Sequence, residues 1–396
     1  MQSPVGAAQV QRRFVVCGSE ERFSSSPPLG GGSSQNVDTK TFIIVAVIKI
    51  LLILFVMLTG VAYTTLLERK LVARIQNRWG PTRVGPFGLL QPLADGIKFI
   101  LKEDLVPDNV HKGLYILAPM LALAMSLISI AIIPFGESIT IRGISIPLQI
   151  TGMGAAGGLS DINIGLLIIL GATSIGVYGI ALAGWSSNSK YSLLGSLRAS
   201  AQMISYELAL GLSLVGILLL AGSLSLREIV NAQSGTWMVG SFNTHLPHWY
   251  IAPQFIAFFI YLMAAYAETN RIPFDLPEAE TELVAGYHTE YSSMKFAMFF
   301  MAEYLNMFTV GCLATLLFFG GWHGPAIPGA PPIVAALLPV FYFAVKVFFF
   351  IFLYIWIRGT LPRFRYDQLM AFGWKFLLPL AIANIIVTSF IVAWRA

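Results

Sequence analysis

Three glutamates, Glu207, Glu268 and Glu303, stand in or at the end of stretches that are otherwise apolar. An ionisable group inside a hydrocarbon layer is costly and marks a functional site by default. The following segment adds Asp275, Glu278, Glu280, Glu282 and Glu290, opposed nearby only by Arg271 and Lys295. Crowded carboxylates repel one another. Such a set can hold a proton and yield it when a neighbouring charge changes, which is the chemistry a proton relay needs. The loop acids alone read as a solvated acidic loop. Glu207 and Glu303, set among apolar residues, are the ones that point to function. Two cations, Lys49 and Lys346, also fall inside apolar runs. They either neutralise the glutamates or continue a path outward, and Lys49 lies close enough to the end of its run for its stem to reach the interface.

A second dense region begins at Glu68-Arg69-Lys70 and continues through Arg74, Gln76, Arg78, Gly80-Pro81, Arg83, Gly85-Pro86 and Gln91-Pro92. Glycine and proline set a non-helical path here. The arginines suit carboxylates, lipid phosphates or a docked acidic protein. The plain reading is a lipid-anchoring patch; the regular Gly-Pro punctuation favours a shaped docking surface. Within 86–102, Leu89, Leu90, Leu93, Ile97, Ile100 and Leu101 share one helical face, and Asp95, Lys98 and Lys102 another. This stretch is too short and too polar to span a membrane and belongs at the interface. It is either a surface anchor, which the pattern alone favours, or the lip of a cavity that admits a lipid-soluble molecule.

The elements that must position these residues are membrane helices. Of 396 residues, 56% are hydrophobic and 11% charged, whereas soluble domains carry about 25% charge. Mean hydropathy is +0.73. Eight apolar runs follow an N-terminal extension: 41–63, 114–134, 161–183, 202–221, 251–267, 296–320, 331–357 and 373–394. Each is long enough to cross a ~30 Å layer, the fifth only barely. Trp185, Trp249, Trp322, Trp356, Trp374 and Trp394 flank them as an aromatic belt. The expected fold is all-α and polytopic, with an added amphipathic interfacial helix. The basic residues after runs 1 and 7 place those connections in the cytoplasm and both termini outside; Arg12, Arg13, Arg22 and Lys40 lean weakly the other way. Residues 1–40, rich in Ser, Pro and Gly, read as a flexible extension, and 41–396 as the transmembrane domain. In this orientation Glu207 and Glu303 lie about 8 and 10 Å along their helices from the cytoplasmic boundary, at ~1.5 Å per residue.

Other chemistries fall away. The net charge of +5 is ordinary for basic cytoplasmic loops and implies no nucleic acid. Cys17 and Cys312 are too few for an iron–sulfur cluster, which takes four side-chain ligands. Arg12-Arg13 is followed by no nearby apolar region, so a twin-arginine signal is rejected. Gly152, Gly154 and Gly157 spell a dinucleotide fingerprint, but an apolar run follows and no βαβ unit. His245 and His248 have no third ligand near in sequence.

Segment 68–95, from Glu68-Arg69-Lys70 to Leu93-Ala94-Asp95, and segment 267–291, from Ala267-Glu268-Thr269 to Glu290-Tyr291 and on to Phe300-Met301-Ala302-Glu303-Tyr304, resemble one membrane component of respiratory complex I. That family comprises the H subunits of bacterial NADH-quinone oxidoreductase and their counterpart in mitochondria, subunit 1. The resemblance covers about residues 41–396. It implies a subunit of a proton-translocating enzyme with no redox centre of its own. The substrate would be ubiquinone or menaquinone, with FMN and iron–sulfur clusters only in partner subunits. Peripheral-arm subunits carrying the terminal iron–sulfur cluster would close a quinone chamber against this chain, beside other membrane-arm subunits and lipid, in the cell inner membrane. The resemblance places Arg69, Arg78, Asp95 and Glu103 around that chamber. It places Glu207, Glu268, Glu278, Glu280, Glu282, Glu290 and Glu303 along an acidic path leaving it. A homologous subunit of an energy-converting hydrogenase or formate hydrogenlyase is the alternative. A stand-alone secondary transporter is a second, against which the chain shows no pair of related halves.

Overall fold

A computed structural model describes residues 39–136, 138–141, 144–147, 149, 162–239, 242–275, 285–325 and 331–395. The extension 1–38 lies outside them, as do Glu278, Glu280 and Glu282.

The apolar runs become helices. These are α1 (Thr39–Ile75), the amphipathic α2 (Gln91–Leu101), α3 (Lys112–Ile132), α4 (Gly165–Ser186), α5 (Lys190–Ala221), a short α6 (Leu226–Ala232), α7 (Phe255–Glu268), α8 (Ser293–Phe318), α9 (Pro332–Thr360), and a final crossing of α10 (Tyr366–Phe372), a π-helical turn (Gly373–Leu377) and α11 (Leu378–Arg395). Among the described residues seven helical stretches are long and apolar enough to span a membrane, and α7 is a shorter apolar helix. The all-α polytopic architecture holds. Two antiparallel hairpins, β1 (Ser138–Ile141) with β2 (Ile144–Pro147) and β3 (Thr236–Val239) with β4 (Phe242–Pro247), sit in connections at the end away from α2. There they pair backbone that no helix satisfies.

α1 departs from the sequence reading. Residues 68–75 are helix, not loop. Charges lower the hydropathy there, but no glycine or proline intervenes before Gly80, so the helix continues. It ends in a Schellman motif: Asn77 takes a left-handed φ of 53°, Arg78 N donates to Ala73 O at 2.8 Å, and Asn77 N to Arg74 O at 3.1 Å. The Gly-Pro segment then turns back to α2. At Gly88 (φ 76°) a Cβ would lie 2.2 Å from Pro81 O, so only glycine fits.

α8 is the central helix and α1 an edge helix. α3 and α4 approach closely at small residues, where a Cβ on Gly179 would lie 3.0 Å from Ala118 O. α7 has 14 residues, about 21 Å at ~1.5 Å per residue. Non-helical backbone precedes it, and where such backbone lies at membrane depth it must be satisfied within the protein. Gln233 does this: its Oε1 accepts from Tyr250 N at 3.3 Å and Gly320 N at 3.0 Å, and its Nε2 donates to Leu316 O at 2.9 Å.

Lys346 has a structural duty. Its Nζ donates to the carbonyls of Phe319, Gly321 and His323 at 2.7–2.9 Å, just beyond the C-terminus of α8, and lies 4.9 Å from the Trp249 ring centre. A cation there satisfies terminal carbonyls and complements the helix dipole. Lys346→Met should destabilise the fold by about 1–3 kcal/mol, the cost of leaving buried polar groups unsatisfied. Thermal melting of the detergent-solubilised complex checks this; an unchanged midpoint would remove the capping role. Lys49 is buried at the far end of α1, its ammonium without a hydrogen-bond partner among the described residues.

Candidate functional site: a cavity and a buried line of carboxylates

Where α1, α2, α8 and α9 meet, a cavity of about 840 Å³ is lined by Thr65, Glu68, Arg69, Val72, Arg78, Trp79, Asp95, Phe99, Phe296, Phe300, Tyr304 and Arg358. Its polar groups come from all four helices and from the turn after α1, and the α8 rings Phe296, Phe300 and Tyr304 line it too. Arg69 Nη1 donates to Asp95 Oδ2 at 2.6 Å, which fastens α2 against α1, and within α2 Gln91 Nε2 donates to Asp95 Oδ1 at 3.0 Å. Arg78 bonds Gln76 at the rim, 2.8 Å from Nε to Oε1.

Glu68 is the buried anchor. Its Oε2 accepts from the Tyr304 hydroxyl at 2.5 Å, and its Oε1 from Arg271 Nη1 at 3.2 Å and from Arg358 Nη1. Arg271 is 7% exposed. Its guanidinium lies 4.3 Å from the Tyr304 ring centre, and its Nε reaches Glu303 Oε1 at 2.5 Å. Arg271 thus bridges two carboxylates, one facing the cavity and one beyond it. Two arginines and two glutamates balance formally, as buried charges must.

Beyond Glu303 the path stays polar. A pocket of about 40 Å³ is bounded by Ser126, Thr173, Glu268, Thr269, Asn270, Glu303 and Asn306, with apolar residues between them. A smaller one of about 10 Å³ touches Thr173, Glu268, Asn306 and Thr309. The larger space has the volume and the polar neighbours that a water needs, whereas the smaller is mainly apolar. Ser126 Oγ donates to Asn306 Oδ1 at 2.8 Å. Glu268 lies within hydrogen-bonding reach of Thr173 and close enough to Glu207 to feel its charge. Glu207 accepts from the Ser174 hydroxyl. Because α5 begins at Lys190, Glu207 sits near the middle of that helix rather than near its end. Gln202, fully buried on α5, donates from Nε2 to Ala267 O and Phe274 O, both at 2.8 Å. It holds both ends of the segment that carries Glu268 and Arg271.

Of the residues expected to act, the structure gathers Arg69, Arg78 and Asp95 on the cavity wall and aligns Glu303, Glu268 and Glu207 beyond it. Glu103 is exposed outside the cavity, and its carbonyl accepts from Ser292 Oγ at 2.9 Å. Glu290 adjoins the Tyr115–Tyr291 stack (4.2 Å), its carbonyl accepting from the Tyr115 hydroxyl. Burial pushes the Tyr291 hydroxyl up to about 12, so it remains a neutral donor to Tyr115 O at 3.2 Å. Sequence reasoning misses Glu68, Tyr304 and Arg358 as site residues, and it finds Arg271 only as an opposing charge. The signal for Glu68 is its place ahead of two cations, but only a continuous helix turns it inward.

A family model described as NADH dehydrogenase matches residues 48–389. The chain is 73% identical over 356 residues to the NADH-quinone oxidoreductase H subunit 2 of Koribacter versatilis, covering 89% of this chain and 98% of that protein. This chain belongs to the H-subunit family of NADH-quinone oxidoreductase. It is 49% identical to H subunit 1 of Solibacter usitatus (89% and 98% covered) and 52% to H subunit 2 of Geobacter metallireducens (89% and 96%). As a member of this family, it is a multi-pass membrane component of complex I and so part of an oxidoreductase complex.

Proposed function

We propose that the 840 Å³ cavity is the membrane part of a quinone-binding chamber, and that the carboxylate line converts a charge change there into proton movement. The observation that carries this is Arg271, buried and shared between Glu68 on the cavity wall and Glu303 beside the water-sized pockets. In this reading electrons arrive from an iron–sulfur cluster in a peripheral partner, and the α1–α2 end faces the cytoplasm. A quinone taking up two electrons draws protons from its surroundings. A positive charge gained or lost at Glu68 alters the field on Arg271. Two unit charges at 4 Å interact by about 4 kcal/mol at an effective dielectric of about 20, which is enough to reverse the occupancy of a titrating neighbour. Glu303, Glu268 and Glu207 then exchange protons or pass the field along α8, α7 and α5 toward neighbouring membrane subunits. Arg69 and Asp95 keep α2 against the cavity mouth, and the aromatic wall accommodates a flat ring.

Glu207→Gln keeps the size of the side chain and its bond to Ser174 but removes the charge. Assembly should be nearly intact and proton pumping coupled to quinone reduction reduced, measured in vesicles with NADH as donor. Wild-type activity and pumping would make Glu207 structural and end the line at Glu268.

A further inference from the structure

On the opposite flank of α1 lies a second space, unrelated to the carboxylate line. It is a groove of about 710 Å³ between α1, α8 and α9, floored by Phe308, Cys312, Phe343 and Val347. It runs along α1 from Leu52 to Lys70, roughly 27 Å at ~1.5 Å per residue, close to the ~30 Å of a hydrocarbon core. Its lining is apolar except at a few places. The Thr64 hydroxyl is used within α1, donating to Gly60 O at 2.8 Å. Lys70 closes one end. Its ammonium has three donors; one goes to Phe87 O at 2.5 Å, and the others remain for a ligand.

A long apolar trough with one cation at its membrane-surface end complements an anionic amphiphile. Basic sites between transmembrane helices bind anionic lipid headgroups in this manner. A quinone suits the groove less well, because its ring presents two neutral carbonyls and the groove offers its charge at one end only. We propose that this groove holds an anionic glycerophospholipid, acyl chain along α1 and phosphate at Lys70. The bound lipid would fill the gap between the edge helix and the bundle, and so hold α1 in the position where Glu68 meets Arg271.

Two variants test the two halves of the site. Lys70→Gln retains a donor for Phe87 O but loses the charge. Ala344→Trp fills the groove from α9 and leaves Lys70 in place. The whole complex is purified in mild detergent, and its phospholipids are extracted and counted by class per complex. Wild type should retain about one more phosphatidylglycerol or cardiolipin than either variant. Adding phosphatidylglycerol to delipidated complex should raise the melting temperature of wild type and not of Lys70→Gln. Equal anionic lipid in all three overturns the proposal. So does loss of phosphatidylethanolamine in place of anionic lipid, or loss of quinone in place of phospholipid from the Ala344→Trp complex.

Discussion

Arg271→Met should lower coupled quinone reduction about 100-fold or more and reduce the yield of assembled complex. The substitution preserves much of the stem but strips Glu68 and Glu303 of the cation they share. Breaking a buried ion pair by removing one partner costs about 3–5 kcal/mol, because the remaining charge is left uncompensated. Glu68 keeps Arg358 and Tyr304, while Glu303 loses the cation 2.5 Å from its Oε1. The double variant Arg271→Met with Glu303→Gln should therefore recover assembly, since it removes the carboxylate along with its cation, while coupling stays lost. The measurements are complex yield, NADH-driven quinone reduction and proton uptake into vesicles. Recovery of pumping in the double variant would contradict a role for this pair in coupling. A single variant that assembles and turns over normally would show that the bridge does not matter.

Val72→Trp should block the cavity. Val72 lines it from α1, one turn beyond Glu68 and outside the ion-pair network. An indole added to a space of about 840 Å³ leaves room for water but obstructs the quinone ring that the proposed chamber would admit. Quinone reduction should fall at least tenfold, with KM rising more than kcat falls for the smallest quinones. Electron transfer from NADH to a water-soluble acceptor that bypasses quinone should be unchanged, which separates obstruction from misassembly. Unaltered quinone kinetics would place the substrate elsewhere.

The crossings were legible because hydrocarbon sets their length and composition, and aromatic belts mark their ends. Glu207, Glu268 and Glu303 of the proposed relay stood out for the complementary reason, that charge is conspicuous in an apolar helix. The connections between them were not. Glu68 and Arg271 are 203 residues apart in sequence, and nothing local in either segment names the other. The end of α1 was obscured by its own charges: eight further residues of helix look like loop when hydropathy decides. Lys346 has the same residue type and setting as a relay cation, but its partners are backbone carbonyls, which leave no mark in sequence. Glu103, four residues past Phe99 of the cavity wall, lies beyond the end of α2, and the chain carries it outside.

The unbroken helix of α1 bears on how its end can move. Glu68, Arg69 and Lys70 are successive residues, so they project about 100° apart around one rod: to Arg271, to Asp95 of α2, and to Phe87 O at the foot of the groove. A rotation large enough to release one grip strains the other two, so the three behave as a single latch. A one-residue insertion above Glu68 would turn the latch by about 100° and unseat every grip together. The same insertion in the turn between Trp79 and Val84 would leave the three side chains at their angles on α1 and disturb only the placing of Phe87 and Asp95.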